Sequence, residues 1–301
     1  MQVAPRPVNA RSTKAHRCHS LKFGAKGEAG KLSKQAMSND TNMRRCRRPG
    51  EKGGRPSRRS PRTPPADSPS VIYGFHAVSE ALKNPKRNIH RLVATANALN
   101  RLKGLVPDME WPEPSSTREM DKLLGADTVH QGVALFCDPL PEPELSDCIG
   151  AEMIVALDQV TDPHNVGAVL RSAAAFGATF LIMTARHSPP ETGVLAKTAS
   201  GALEHVEIVR VRNLSNALEE LRDAGFHLLG LDGEATDALG DTPLQKPAVL
   251  VLGAEGKGLR EKTAATCDRL VRLPTRPPIA SLNVSNAAAI ALYEASRPQR
   301  G

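Results

Sequence analysis

From Met153 to Thr184 the chain reads "MIVALDQVTDPHNVGAVLRSAAAFGATFLIMT". An apolar run, a polar loop, a helix-forming stretch and a second apolar run follow one another. Short apolar runs bounded by turn residues fit strands buried on both faces. Two such strands joined through a helix point to a parallel pair, because parallel strands need a long crossover. The alternation continues. "EIVRV", "FHLLGLD", "PAVLVLG" and "RLVRLP" read as strands, and "NLSNALEELRDAG" and "SLNVSNAAAIALYEASR" as helices. The pattern predicts an α/β domain over residues 151–297, with a parallel sheet covered on both faces.

A smaller α/β unit is predicted at residues 71–138. "VIYGFHAVSEALKNP" gives a strand, a turn at Gly74 and a helix whose apolar face is Ala77, Val78, Ala81 and Leu82. "IHRLVAT" and Val133–Cys137 read as strands, and "TREMDKLL" as a helix. Residues 139–150, "PLPEPELSDCIG", open with three prolines in five residues and read as a linker.

Charge separates the rest. Residues 1–70 hold 17 Lys/Arg against four Asp/Glu, a balance of +13, whereas the whole chain carries +8. The remainder is therefore at −5, and total charge does not argue that the folded part binds nucleic acid. With few apolar residues, 1–70 reads as a disordered basic extension. A basic arm on RNA phosphates and an organelle transit peptide are the alternatives. The five cysteines form no CxxC pair, which argues against a disulfide framework or zinc site and for reduced thiols in the cytoplasm. No run reaches the ~18 apolar residues of a membrane helix. No membrane or metal partner is expected.

Three loops carry candidate chemistry. In "TDPHNVG", Asp162 can cap a helix and Pro163 fits its first position. Capping does not explain Asn165 at a strand's carboxyl end, where open α/β sheets bind ligands. Nor does it explain Arg171 in an Ala/Val/Leu/Phe helix, where a guanidinium needs a partner or ligand. "AVLVLGAEGKGLREK" runs a buried strand into Gly253, Glu255, Gly256 and Gly258. It matches neither GxxxxGK[ST] nor GxGxxG. Its glycines let backbone N–H groups approach a ligand. In "RLVRLPTRPPIASLNVSNAAAIAL", prolines stiffen the approach to a helix opened by Ser281 and Asn283, with Ser281 an ordinary cap. Its small residues suit tight internal packing or a subunit contact.

The ordered trio of loops resembles the SpoU/TrmH branch of the SPOUT methyltransferases, over Met153 to Arg297. "YGFHAVSEAL" resembles the small RNA-binding domain of the ribosomal-RNA guanosine members, which extends the likeness to Val71. The resemblance implies a C-terminal trefoil knot formed by the Gly253 loop and the segment from Leu273 onward. Ordinary connection rules would not have suggested it. It implies S-adenosylmethionine bound by Thr184, Gly253, Leu273 and Leu282. It implies methyl transfer to a ribose 2′-hydroxyl of a guanosine in 23S ribosomal RNA, or alternatively of transfer RNA. A noncatalytic RNA-binding or assembly factor is the reading from another class. A homodimer with the last helix in its interface is also implied.

By the same likeness the catalytic and substrate residues are Asn165, Arg171, Glu255, Ser281 and Asn283. Arg171 is the family's candidate base. A free guanidinium is too basic to accept a proton, so phosphate binding and electrostatics are the expected role, with Glu255 orienting Arg171. Asn165, Ser281 and Asn283 position the ribose. His164, on the helical face of Arg171, is an alternative base or a phosphate contact. The chain departs from the family at Thr275 and Pro277, where Met and Gly are usual. Proline lacks a backbone donor, so Pro277 is not counted among the cofactor residues.

Overall fold

The computed structural model describes residues 70–107, 109–186, 188–276, 278 and 281–297. The expectations for the basic extension, for Cys18 and Cys46, and for Pro277 fall outside the described residues.

The first part of the chain forms a three-stranded sheet with helices. Its elements are β1 (Ser70–Tyr73), α1 (Phe75–Lys83), β2 (Ile89–Ala94), α2 (Ala96–Lys103), α3 (Thr117–Leu124) and β3 (Val133–Cys137). β3 lies between β1 and β2 and is antiparallel to both. Val78, Ala81, Leu92, Leu99 and Leu135 form its buried centre. A capping box begins α3: Ser116 and Glu119 each hold the other's backbone N–H.

The expected linker is partly tied down. Leu145–Cys148 forms a 3-10 turn, and Cys148 is fully buried with Ile154, Leu218 and Leu221. One apolar thiol therefore anchors a segment whose prolines suggested a free connection.

The second part follows as β4 (Met153–Asp158), α4 (Pro163–Ala175), β5 (Phe180–Thr184), α5 (Gly193–Ala199), β6 (Glu207–Val211), α6 (Leu214–Asp223), β7 (His227–Leu231), β8 (Asp237–Ala238), β9 (Ala248–Gly253), α7 (Glu261–Thr266), β10 (Arg269–Arg272) and α8 (Val284–Ser296). Seven strands make one sheet in the order β6-β5-β4-β9-β7-β10-β8, and every pairing is parallel. Alternation along β4 shows how both faces are covered. Met153, Val155 and Leu157 join the core beneath α4, α5 and α8, whereas Ile154 and Ala156 join the core beneath α6.

Local chemistry fixes α4, which carries two of the candidate residues. Asp162 accepts from His164 N at 3.0 Å, and Pro163 opens the first turn. Gly177, at φ 80°, turns the chain away after the last turn. Gly167 lets α5 cross α4 closely: a Cβ there would stand 2.7 Å from Thr198 Cβ and 2.9 Å from the Leu195 carbonyl.

Helix α8 begins later than expected. Its cap is Asn283, whose Oδ1 accepts from Ser285 N at 3.0 Å and Asn286 N at 3.4 Å. Ser281 is exposed and is not the cap. The small residues Ala288, Ala291 and Ala295 are buried, and α8 packs on α4 and β9. Internal packing, one of the two uses foreseen for that face, is thus present. After β10 the chain thus returns to the middle of the sheet. The crossing includes Pro277, Ile279 and Ala280, so the expected knot lies partly outside the described residues.

Candidate active site

The carboxyl ends of β4 and β9 are adjacent, with Asp158 paired in register to Gly253. Asn165 follows β4 in the first turn of α4, Glu255 follows β9, and Asn283 caps α8. One amide joins all three. Asn283 Nδ2 donates to Asn165 Oδ1 at 3.0 Å and to Glu255 Oε1 at 2.5 Å. Its Oδ1 is taken by the helix backbone, so both ends of the amide are employed and its orientation is fixed.

The other two polar candidates stand apart from this cluster. Ser281 is exposed and makes no hydrogen bond to a described residue. The Arg171 side chain is exposed and forms no hydrogen bond or ion pair among the described residues. At about 100° per residue, Arg171 lies some 240° around the helix from Asn165 and on the same side as His164. The expected orientation of Arg171 by Glu255 is therefore not observed. Glu255 accepts from Asn283, and the Arg171 charge remains available to a group outside the chain. His164 Nδ1 lies 3.4 Å from Thr198 Oγ1.

The glycine loop folds on itself. A Cβ on Gly253 would fall 2.0 Å from the carbonyl carbon of Gly258, and Gly258 N donates to Ala254 O at 2.9 Å. The close approach that excludes a side chain at Gly253 is thus to the chain's own backbone. Gly256 and Gly258 adopt φ of 74° and 65°, which glycine enters freely.

Among the cofactor candidates, Thr184 ends β5 and is buried. Its carbonyl accepts from Ser188 Oγ at 2.9 Å, but its Oγ1 is buried without a hydrogen-bond partner among the described residues. Leu273 follows β10 and packs on the core. Leu282 is 38% exposed beside the Asn283 cluster.

Two site residues escaped the sequence reading. The Asp158 side chain is fully buried, with Oδ1 accepting from Arg260 Nε at 2.7 Å and Oδ2 from Arg260 N at 3.1 Å. This pair ties the far end of the glycine loop to the end of β4. The available signal was a carboxylate closing an otherwise apolar strand, with an arginine just after the glycines. Gln159 next to it has φ 62°, a left-handed conformation uncommon outside glycine. That turn sends the chain from β4 into the loop that carries Asn165.

Among the described residues no group of His, Cys, Asp and Glu could hold a metal ion, and no helix is long and apolar enough to cross a membrane.

A parallel sheet with polar side chains gathered at neighbouring strand ends defines an α/β protein with a ligand site at the carboxyl edge of its sheet. Residues 152–293 match the SpoU rRNA Methylase family, and residues 71–111 match the RNA 2′-O ribose methyltransferase substrate-binding family. The chain is 38% identical over 242 residues to the 23S rRNA (guanosine-2′-O-)-methyltransferase RlmB of Vibrio vulnificus, covering 76% of this chain and 97% of that one. It is 39% identical over 238 residues to RlmB of Pseudomonas syringae pv. tomato, covering 75% and 94%. The SpoU methyltransferase AviRb of Streptomyces viridochromogenes, solved in complex with AdoMet, superposes with a TM-score of 0.64 at 25% identity, covering 76% and 89%. The chain belongs to the SpoU rRNA methylase family.

Proposed function

We propose that this chain transfers a methyl group from S-adenosylmethionine to the 2′-hydroxyl of a guanosine ribose in 23S ribosomal RNA, in the cytoplasm and as a homodimer. Residues 71–138 form the RNA-binding domain, 139–150 the connection and 151–297 the methyltransferase domain. The observation that carries the reading is the Asn283 amide, which joins Asn165 and Glu255 at neighbouring strand ends, in a chain whose similarity to RlmB spans nearly the whole of that enzyme. A noncatalytic factor would have no need to keep these three polar side chains in one hydrogen-bonded cluster.

The residues present fit the donor. Thr184 Oγ1 is a buried hydroxyl lacking a partner among the described residues, and burying it unbonded is costly unless a ligand completes it. Thr184, Gly253, Leu273 and Leu282 would hold the donor, which supplies an electrophilic methyl group on a sulfonium sulfur.

The remaining chemistry belongs to side chains. A ribose hydroxyl must be placed in line with the methyl carbon, and positioning is the first contribution to rate. Asn165 and Asn283, locked by their mutual hydrogen bond, orient the ribose, and Ser281 contributes from the neighbouring loop. Glu255 holds Asn283. Arg171 neutralises an RNA phosphate next to the target and stabilises the negative charge that grows as the hydroxyl proton leaves. Ile290 and Tyr293 project outward from α8, 46% and 53% exposed. This apolar strip supports a dimer through the last helix.

The direct test supplies methyl-labelled S-adenosylmethionine and 23S ribosomal RNA to the purified chain and maps the modified nucleotide. A ribose 2′-O-methyl on one guanosine is expected. Label on transfer RNA alone would reassign the substrate, and no label on either RNA would end the reading.

A further inference from the structure

Arg87 sits between α1 and β2, flanked by the exposed residues Lys86 and Asn88, yet its guanidinium is fully buried. Burying a cation is costly unless it is paired. Its bonds run in two directions. Nη1 donates to the carbonyl of Asp138 at 3.1 Å, just beyond β3. Nε donates to both Glu204 oxygens, at 3.2 and 3.1 Å, and Nη2 to Glu204 Oε1 at 2.9 Å. Nη2 also lies 2.7 Å from Glu191 Oε1, an ion pair whose angle does not make a hydrogen bond. Burial pulls the guanidinium pKa down, but Glu204 and Glu191 more than reverse this and hold it above its ordinary value.

The two carboxylates bracket α5: Glu191 precedes the helix, and Glu204 closes the turn after it. Helix α5 touches both parts of the chain. Its first residue, Gly193, meets β1 so closely that a Cβ would stand 2.7 Å from the Val71 carbonyl. Its other side crosses α4 at Gly167, two residues beyond Asn165. Backbone meets neighbour with little slack at both crossings. A shift of the three-stranded sheet therefore has a packed route to the start of α4.

We propose that Arg87 is a positioning residue for methyl transfer: by gripping Asp138 on one side and Glu204 and Glu191 on the other, it fixes the three-stranded sheet against α5 and sets where RNA carried by residues 71–138 meets Asn165 and Arg171. This rests on the methyltransferase reading above. Arg87 touches neither RNA nor donor. It acts by holding two binding surfaces at one spacing, so that RNA bound to the first is presented to the second at high effective concentration.

The test uses the full chain, a long 23S ribosomal RNA fragment that reaches both surfaces, and a minimal hairpin carrying the same mapped guanosine. Arg87→Lys keeps the charge but loses the planar fork. It is expected to raise KM for the long fragment by about tenfold. KM for the hairpin and the Kd for S-adenosylmethionine should stay within about twofold, and the thermal midpoint reports folding. Lys246→Met, at an exposed pair with Glu152, should leave all values unchanged. If Arg87→Lys fails to fold, Glu191→Gln, which retains Arg87 and Glu204, carries the same comparison with an expected rise of roughly threefold. Equal changes on both RNAs, or no change on either, would overturn the proposal. If the unaltered chain methylates neither RNA, the underlying reading fails and takes the proposal with it.

Discussion

The side-chain amide of Asn283 donates to Asn165 Oδ1 at 3.0 Å across 118 residues of sequence. The same residue caps α8 through its oxygen. One side chain therefore has a folding role and a site role, and the two can be separated by substitution.

Asn283→Asp keeps the capping oxygen and loses the donor, and it sets a carboxylate against Glu255. The pair is exposed, so solvent screens the repulsion and stability to urea should fall by no more than about 1 kcal/mol. Methyl transfer should fall on the order of 10²-fold as the ribose-positioning group is displaced. Asn283→Ala should lose activity similarly and also cost about 1–2 kcal/mol for the missing cap. Denaturation midpoints and initial rates measured on both variants check the separation.

The Arg171 side chain is exposed and makes no bond to a described residue. Arg171→Ala should therefore change stability by no more than about 0.5 kcal/mol. Its methylation rate should fall on the order of 10²-fold through lost charge stabilisation. A large drop in thermal midpoint with unchanged rate would contradict the assigned role.

Gly167→Ala places a methyl group 2.7 Å from Thr198 Cβ and 2.9 Å from the Leu195 carbonyl. Helices α4 and α5 must separate to admit it, at a cost of about 1–3 kcal/mol. Urea unfolding reads the cost. Gly225→Ala would meet no atom within 4 Å, but its φ of 94° makes even that change strained.

Burial pushes the Cys137 thiol up to about 11 and the Cys148 and Cys267 thiols up to about 12. Unfolded thiols ionise near the ordinary value of about 8.5. Between that pH and the folded values, the unfolded chain releases protons that the folded chain retains. The thiol contribution to stability is thus intact below about pH 8.5 and is lost as pH rises toward 11–12, by about 1.4 kcal/mol per unit for each thiol. Urea midpoints measured from pH 8 to 10 should fall, and Cys267→Ala should make the fall shallower. At pH 8 the same three thiols should resist alkylation, as site-resolved mass spectrometry would show.

Much of the large sheet was legible because its central strands are continuous apolar runs; β4, β5 and β9 need no tertiary information. Other elements were not. Helix α2, "ANALNRLK", buries only Ala98, Leu99 and Leu102, too few to announce a helix in so short a stretch. Helix α5 is shorter still and begins with glycine; its place between β1 and α4 is a property of packing. The strand order, with β9 between β4 and β7, is not written in any local pattern. At the site, the segment "SLNVS" offers three side chains able to cap a helix, Ser281, Asn283 and Ser285. The structure employs Asn283, whose amide also has two acceptors to reach, and a serine hydroxyl could not serve all of these partners at once. Asp158 and Arg260 were missed because each is ordinary alone and their pairing spans 102 residues.

Strand β4 pairs with β9 on one side, and β5 to β8 are made between them. During synthesis the first of these central strands must therefore wait for most of the domain to appear. Pairings so distant in sequence are slow to form. The wait is longest for Asn165, whose partner Asn283 precedes α8 and is among the last residues described. A nascent chain thus carries Asn165 well before its hydrogen-bond partner exists, and the cluster at the strand ends closes only once the start of α8 has been made.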